Sequence, residues 1–443
     1  MNAVVVFAIL CVLLVVGKFL RVKFALLQRL YLPSSVVGGL VGLVVLTALG
    51  DRAPEEVTSG MRAIPGFLIN IIFATLFLGA AAPRFREVIR FAFPQLCLGQ
   101  IIAWGQYVVG LGLAGLLFAR FCGVPAMFGN LLEIGFEGGH GTVGGMASAF
   151  VDFGWADGVA LGYTMATVGM IIGIVLGMAL VQWAHRRGFV REVRAFAQRS
   201  LHERLGIHAT GRRPSAGSQT VVCDSIDSLA WHLAITGLAV LIGWGIHQCI
   251  PIKGFPLFPL CMIGGVLLTL AARALKLRLL LDRVQMERIS GASLDFLVVS
   301  AVATIRLEVV MANWIPLTVL CAAGTIWSVW CVVFIAPRIF RDAWFERAIA
   351  EFGQATGVTA TGLMLLRTVD PENRTPAAMS FGYKQLLHEP FMGGGIWTAL
   401  ALTLVYKVGW LPVFGFSCVM LLMWGICAFF LASPVVKGGA LKG

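Results

Sequence analysis

The sequence predicts an all-α polytopic membrane protein: an inverted repeat of two five-span halves, each with a re-entrant hairpin, plus an extra C-terminal span. Three observations predict it. The 443 residues are 58% hydrophobic and only 13% charged, with a mean hydropathy of +0.88, whereas a soluble domain carries about 25% charged residues. Apolar runs long enough to cross a bilayer recur along the chain, and the basic residues fall between them. The glycine-rich stretch FEGGHGTVGGMASAF at 136–150 has a weaker echo about 218 residues later.

Composition also excludes. The net charge of +12 lies in loops between apolar runs rather than as a stripe on a soluble domain, so no nucleic-acid partner is expected. The partner is the lipid bilayer. Ten cysteines are scattered without a Cys-x-x-Cys pair, so neither a metal site nor a disulfide framework is indicated, and no cofactor is expected.

In chain order, the run at 3–17 has no basic residue before it, and Lys18, Arg21, Lys23 and Arg29 follow. It predicts a first span at about 2–17 rather than a cleaved signal. Span 2 covers 32–50, opening at Pro33, and a charged loop at 51–62 leads to span 3 at 63–82. Span 4 covers 93–119, a hairpin about 124–154, and span 5 covers 157–184. The segment 185–228, with eight arginines, is a cytoplasmic linker. Spans 6 to 9 fall at 229–250, 256–272, 292–311 and 314–337. A second broken stretch occupies about 348–371, followed by span 10 at about 377–405 and span 11 at about 411–432. The domains expected are a first repeat at 1–184, the linker, a second repeat at 229–405, and an added span and tail at 406–443.

The stretch at 136–150 holds five glycines in eight residues, preceded by Glu133 and Glu137. Its apolar flanks are about half a span long. Irregular backbone survives at membrane depth only inside protein or along a wet cavity, which suits a hairpin tip; the plainer alternative is a glycine-rich packing face between helices. Charge decides between them. With the amino terminus outside and both broken stretches entering and leaving on one side, inside loops hold 25 Lys and Arg against 5 outside. Crossing at the first stretch would put the eight linker arginines outside, against the positive-inside rule. The halves also share spacings: Pro33-x4-Gly38-Gly39 against Pro259-x4-Gly264-Gly265, and Gly139-x4-Gly144 against Gly357-x4-Gly362. Five spans per half invert the second relative to the first, the pattern of secondary transporters.

Four segments carry a resemblance: GGHGT at 138–142, YLPSSVVGGL at 31–40, FATLFLGA at 73–80 and ATVG at 166–169. Over about 1–405 the chain resembles the bacterial sodium/glutamate symporter family, related in fold to the 2-hydroxycarboxylate transporters. The resemblance implies a symporter whose hairpin tips bind substrate and cation, carried across the membrane by a mobile domain. It implies a small carboxylate substrate such as glutamate, coupling to Na⁺, a homodimer and a bacterial inner membrane. Glu137 adds H⁺ as the alternative coupling ion, and the charge count puts the amino terminus outside and the carboxyl terminus in the cytoplasm. Departures are Glu137, where a small polar residue is expected, a second tip poorer in glycine, Lys384, His388 and Glu389 in span 10, and the added span 11.

An anion at mid-membrane needs donors. Broken helices supply backbone N–H groups, and Thr142, Thr359 and Thr361 add hydroxyls. Arg367 suits a carboxylate and should face the interior, or else pairs with Asp370. A hard cation would use oxygens at the tips, around Gly138, Gly139, His140 and Gly141 in the first and Thr356 and Gly357 in the second. Glu133 and Glu137, four apart, share a helical face; burial and repulsion penalise two charges there, making one a candidate proton carrier. Lys384, His388 and Glu389 form either a polar network gating the cavity or the interfacial start of a tilted helix. A channel with a hairpin filter and a membrane enzyme or sensor are the rivals, but the chain shows no HExxH or workable GxSxG, so no enzymatic role is expected.

Overall fold

The computed structural model describes residues 2–30, 32–79, 85–190, 204–208, 215–249, 255–371 and 374–431. Among them every regular element is helical. Parts of the linker call (191–203 and 209–214), the linking residues 80–84, and the tail at 432–443 lie outside the described residues.

The first helices are α1 (Asn2–Lys23), whose last turn carries Arg21 and Lys23, α2 (Ser34–Leu49), opening after Pro33, and α3 (Glu55–Thr75), with two glutamates in its first turn. These charges suit the helix dipole. α4 (Phe85–Leu113) runs on through a π-helical turn, Ala114–Phe118. The first broken stretch follows: a tight turn at Ala126–Asn130, then α5 (Leu131–Phe136), α6 (Gly139–Gly145) and α7 (Ala147–Asp152). α8 (Asp157–Arg186) is the longest uninterrupted helix, about 45 Å at 1.5 Å per residue.

The helices of the second half follow. α9 (Ser228–Gln248) and α11 (Arg283–Ala303) are capped by Asp227 and Asp282, whose carboxylates accept backbone N–H groups of the first turn. α10 (Phe258–Ala274) stands between them, and α12 (Trp314–Trp330) runs into a second π-helical turn, Cys331–Ile335. α13 (Trp344–Val369) is broken at Gly357 and Val358, and α14 (Ala377–His388), α15 (Ile396–Val408) and α16 (Trp410–Leu431) complete the chain. Among the described residues, seven helices are long and apolar enough to cross a membrane, and shorter apolar helices such as Ser34–Leu49 and Phe258–Ala274 accompany them. The chain is a polytopic membrane protein.

Several spans differ from expectation: α1 runs on to Lys23, not 17, and α4 starts at Phe85, not 93. α3 starts at Glu55, not 63, and α11 at Arg283, not 292; each ends earlier than expected. Hydropathy marks only the apolar stripe, whereas backbone hydrogen bonding continues into the polar turns beyond it. The expected span 10 is two helices, parted at 389–395, where Gly393 and Gly394 take positive φ.

Two groups of helices emerge. α1–α3 pack with α9–α11 through two small apolar clusters, one around Leu10, Met61 and Val299, the other around Leu78, Ala239 and Met286. Paired contacts set this group. A Cβ on Gly38 would stand 2.3 Å from the Leu13 carbonyl oxygen, and one on Gly264 2.2 Å from that of Ala239. One on Gly39 would meet Val302 at 2.6 Å, and one on Gly265 the Ala74 carbonyl oxygen at 2.3 Å. Small residues let these backbones touch.

α4, α8, α12, α14–α16 and both broken stretches form the other group. At the first stretch, Phe128 and Phe150 both lie against Trp155, with ring centroids 6.2 and 5.6 Å apart, so its two ends come together. In α13 a Cβ on Gly353 would lie 2.6 Å from the Gly362 Cα, so the limbs on either side of the break run side by side. Phe150 abuts Gly158 at the start of α8, and Phe345 lies by Trp183 near its end. The middle of α8 meets the second break: a Cβ on Gly169 would stand 2.5 Å from the Thr356 carbonyl oxygen. One on Gly139 would stand 2.5 Å from Val358.

Candidate functional site

Where the two breaks meet, polar side chains form a buried network. Glu137, at the break between α5 and α6, is 3% exposed. Its Oε1 accepts from Gln354 Nε2 at 3.1 Å and from His388 Nε2. Its Oε2 is buried and has no hydrogen-bond partner. The orientation of His388 is fixed from α4. Trp104 Nε1 donates to Gln100 Oε1 at 2.8 Å, which turns the Gln100 amide nitrogen toward His388 Nδ1, 3.2 Å away. With Nδ1 accepting, the ring proton sits on Nε2 and points at Glu137.

Gln354 carries the network onward. Its Oε1 accepts from Lys384 Nζ, which also donates to Gln385 Oε1 at 3.0 Å and pairs with Glu351 Oε2 at 3.0 Å. Gln95 donates to the other Glu351 oxygen at 2.9 Å. Lys384 and His388 are fully buried and Glu351 is 1% exposed. The interfacial reading of Lys384 and His388 therefore fails; they sit in the network. Glu389 is half-buried at its edge, accepting from Thr359 Oγ1 at 2.7 Å and from Gln385 Nε2 at 2.9 Å.

Glu133 shares a face with Glu137 but not its partners. It accepts from Tyr107 OH at 2.7 Å, Thr398 Oγ1 at 2.8 Å and the Gly393 N–H at 2.8 Å. The last bond depends on the break between α14 and α15, which leaves that N–H outside any helix.

The remaining expected residues scatter around this centre. His140 Nε2 lies 2.9 Å from Thr167 Oγ1, and Thr142 Oγ1 donates to the Gly138 carbonyl at 2.9 Å. Thr356 and Thr361 donate to carbonyls within α13, those of Phe352 and Gly357. Gly141 packs on Ile69. Arg367 is exposed, apart from the network, against the expectation that it faces the interior. Asp370 is held instead by the Arg374 N–H at 2.8 Å and by Thr375. Sequence reasoning missed Gln95, Gln100, Tyr107, Glu351, Gln354, Gly393 and Thr398. A signal existed for one: at the 218-residue offset relating Gly139 to Gly357, Glu133 falls on Glu351 and Gly135 on Gly353.

A family model described as sodium/glutamate symporter matches residues 1–369, from α1 through α13. The chain belongs to the sodium/glutamate symporter family. No significant match exists among curated proteins. As a member of a symporter family, the chain is a membrane transporter; its α14–α16 lie beyond the matched residues. Glu133, Glu137, Glu351 and Gln354 thus fall within the symporter match, whereas Lys384, His388 and Gly393 lie outside it.

Proposed function

We propose that this symporter-family protein carries a small carboxylate, such as glutamate, across a bacterial inner membrane, coupled to a cation. The observation that carries the reading is the meeting of two broken helices beside the middle of α8, around buried carboxylates that outnumber the buried ammonium. Three carboxylates, Glu133, Glu137 and Glu351, are almost wholly buried with one lysine. A surplus of buried negative charge is costly unless cations or protons neutralise it. Na⁺ is the coupling ion that the family favours, and the unpartnered Glu137 Oε2 is an oxygen suited to a hard cation. The same oxygen favours a second reading, in which Glu137 carries a proton.

The substrate carboxylate fits the start of the second limb of α13, after the backbone leaves helical geometry at Gly357 and Val358, since a helix start turns its first N–H groups outward as anion donors. Thr359 stands beside them, and Glu389 offers an acceptor for a substrate ammonium. Thr142 and Thr361 serve backbone carbonyls and support the tips rather than contacting substrate. In this reading the chain is an inverted repeat, 1–184 and 229–405, in a homodimer. The group holding both tips is the mobile part of an elevator, sliding against α1–α3 and α9–α11. The amino terminus is outside and the carboxyl terminus cytoplasmic.

Purified protein in liposomes tests this. Glutamate or a related carboxylate should accumulate when an inward Na⁺ gradient is imposed. Replacing Na⁺ by choline should stop uptake, unless an inward pH gradient then sustains it, which would select the proton reading. Flux that neither gradient drives and that never saturates would favour a channel.

A further inference from the structure

The three donors of Lys384 Nζ meet three oxygens: Glu351 Oε2 and Gln385 Oε1, each at 3.0 Å, and Gln354 Oε1. A carboxylate with two amide carbonyls is the donor set a hard monovalent cation takes. The stem is accommodated by Gly99 of α4, where a Cβ would stand 2.4 Å from Lys384 Cε. The site is built: the ammonium is fully buried, and Glu351 is held from its other side by Gln95 at 2.9 Å.

The two halves differ at this point. Glu133, which corresponds to Glu351 at the 218-residue offset, meets only neutral donors: Tyr107, Thr398 and the Gly393 N–H. At the same offset the position of Lys384 corresponds to Ala166 in α8. The lysine also lies beyond the residues the family model matches. One half therefore supplies its carboxylate with a cation and the other does not.

We propose that the Lys384 ammonium is a tethered cation, filling an oxygen-lined site beside the second tip that would otherwise bind a free Na⁺. One of the positive charges that balance the buried carboxylates is then covalently attached, and the protein couples to one free cation fewer than the same scaffold without the lysine. This deepens the cation-coupled reading above and rests on it.

Equilibrium binding of ²²Na⁺ to purified protein, in alkaline buffer with choline as the balancing cation, tests the idea without requiring transport. Lys384→Ala empties the site, and it should bind one more Na⁺ per chain than the native protein, with a melting temperature that rises with NaCl and not with choline chloride. Lys384→Met fills the space with an apolar stem and should bind no extra Na⁺. Lys384→Ala/Glu351→Gln removes both charges and should fold without Na⁺ and gain no binding. Equal Na⁺ binding by native protein and Lys384→Ala overturns the proposal. So does failure of Lys384→Ala to fold in saturating NaCl when the double variant folds. Should the native protein in liposomes move no carboxylate while Lys384→Ala gains its Na⁺, the carrier reading fails and the tethered cation stands.

Discussion

At the scale of single residues, the proposed coupling turns on Glu137 and on Gly139, two residues further into the tip. Glu137→Gln keeps the shape and the contact with His388 but removes the charge. If Na⁺ is coupled, the variant should lose about tenfold in apparent Na⁺ affinity, the scale of one charge-assisted contact. If a proton is coupled, net gradient-driven uptake should vanish while substrate exchange survives, because exchange needs no proton release. Loss of both activities with strictly Na⁺-dependent native uptake would rule the proton out. Gly139 sits at φ +69° with its missing Cβ 2.5 Å from Val358. Gly139→Val should abolish uptake while membrane yield stays near the native level; normal uptake would make this tip mere packing. Glu133 and Glu137 were legible because a charge in an apolar run is conspicuous; Glu351 showed only through the 218-residue offset. The glutamines were not legible. Gln100 and Gln354 matter only because α4 and α13 turn them toward His388 and Glu137, and nothing in a single sequence says which faces meet.

At the scale of elements, the break between α14 and α15 is the feature the sequence reading passed over. Pro390 and the three glycines at 393–395 are ordinary turn signals, but they stand inside a stretch whose hydropathy reads as one span. Gly394 has φ +108°, and a Cβ there would lie 2.4 Å from Thr142 Oγ1. Gly394→Ala should cost about 1–3 kcal/mol of stability and lower uptake by disturbing the Gly393 N–H that faces Glu133. Gly415→Ala is the control: it lies within a helix with nothing within 4 Å, and should raise stability slightly. Equal melting temperatures for the two variants would show that the break tolerates a side chain. Helix existence was readable from hydropathy alone; the early starts of α3 and α11 were not, because their first turns are polar.

At the scale of the molecule, the proposed topology places the linker in the cytoplasm, and its described residues lie against the ends of two helices. Lys18 near the end of α1 donates to the Leu205 and Gly206 carbonyls, and Gln285 at the start of α11 donates to Ser218. Single cysteines at Ser215 or Ser218, in a cysteine-depleted background, should react with an impermeant thiol reagent only from the cytoplasmic face. Labelling of intact cells from outside would reverse the orientation. The glycine pairs at 38–39 and 264–265 support the proposed relation between the halves, since each pair sits at a close helix contact.

The π-helical turns add a history to that relation. Ala114–Phe118 in α4 and Cys331–Ile335 in α12 occupy the same place in the two halves to within a residue. Such a turn is the footprint of one inserted residue, accommodated by a bulge rather than by rewinding the helix. On the repeat proposed above, that placement needs one insertion before an ancestral gene doubled, or two separate insertions afterwards. The single event is the simpler, and on that reading the bulge predates the doubling and has outlasted the proposed divergence of Lys384 from Ala166.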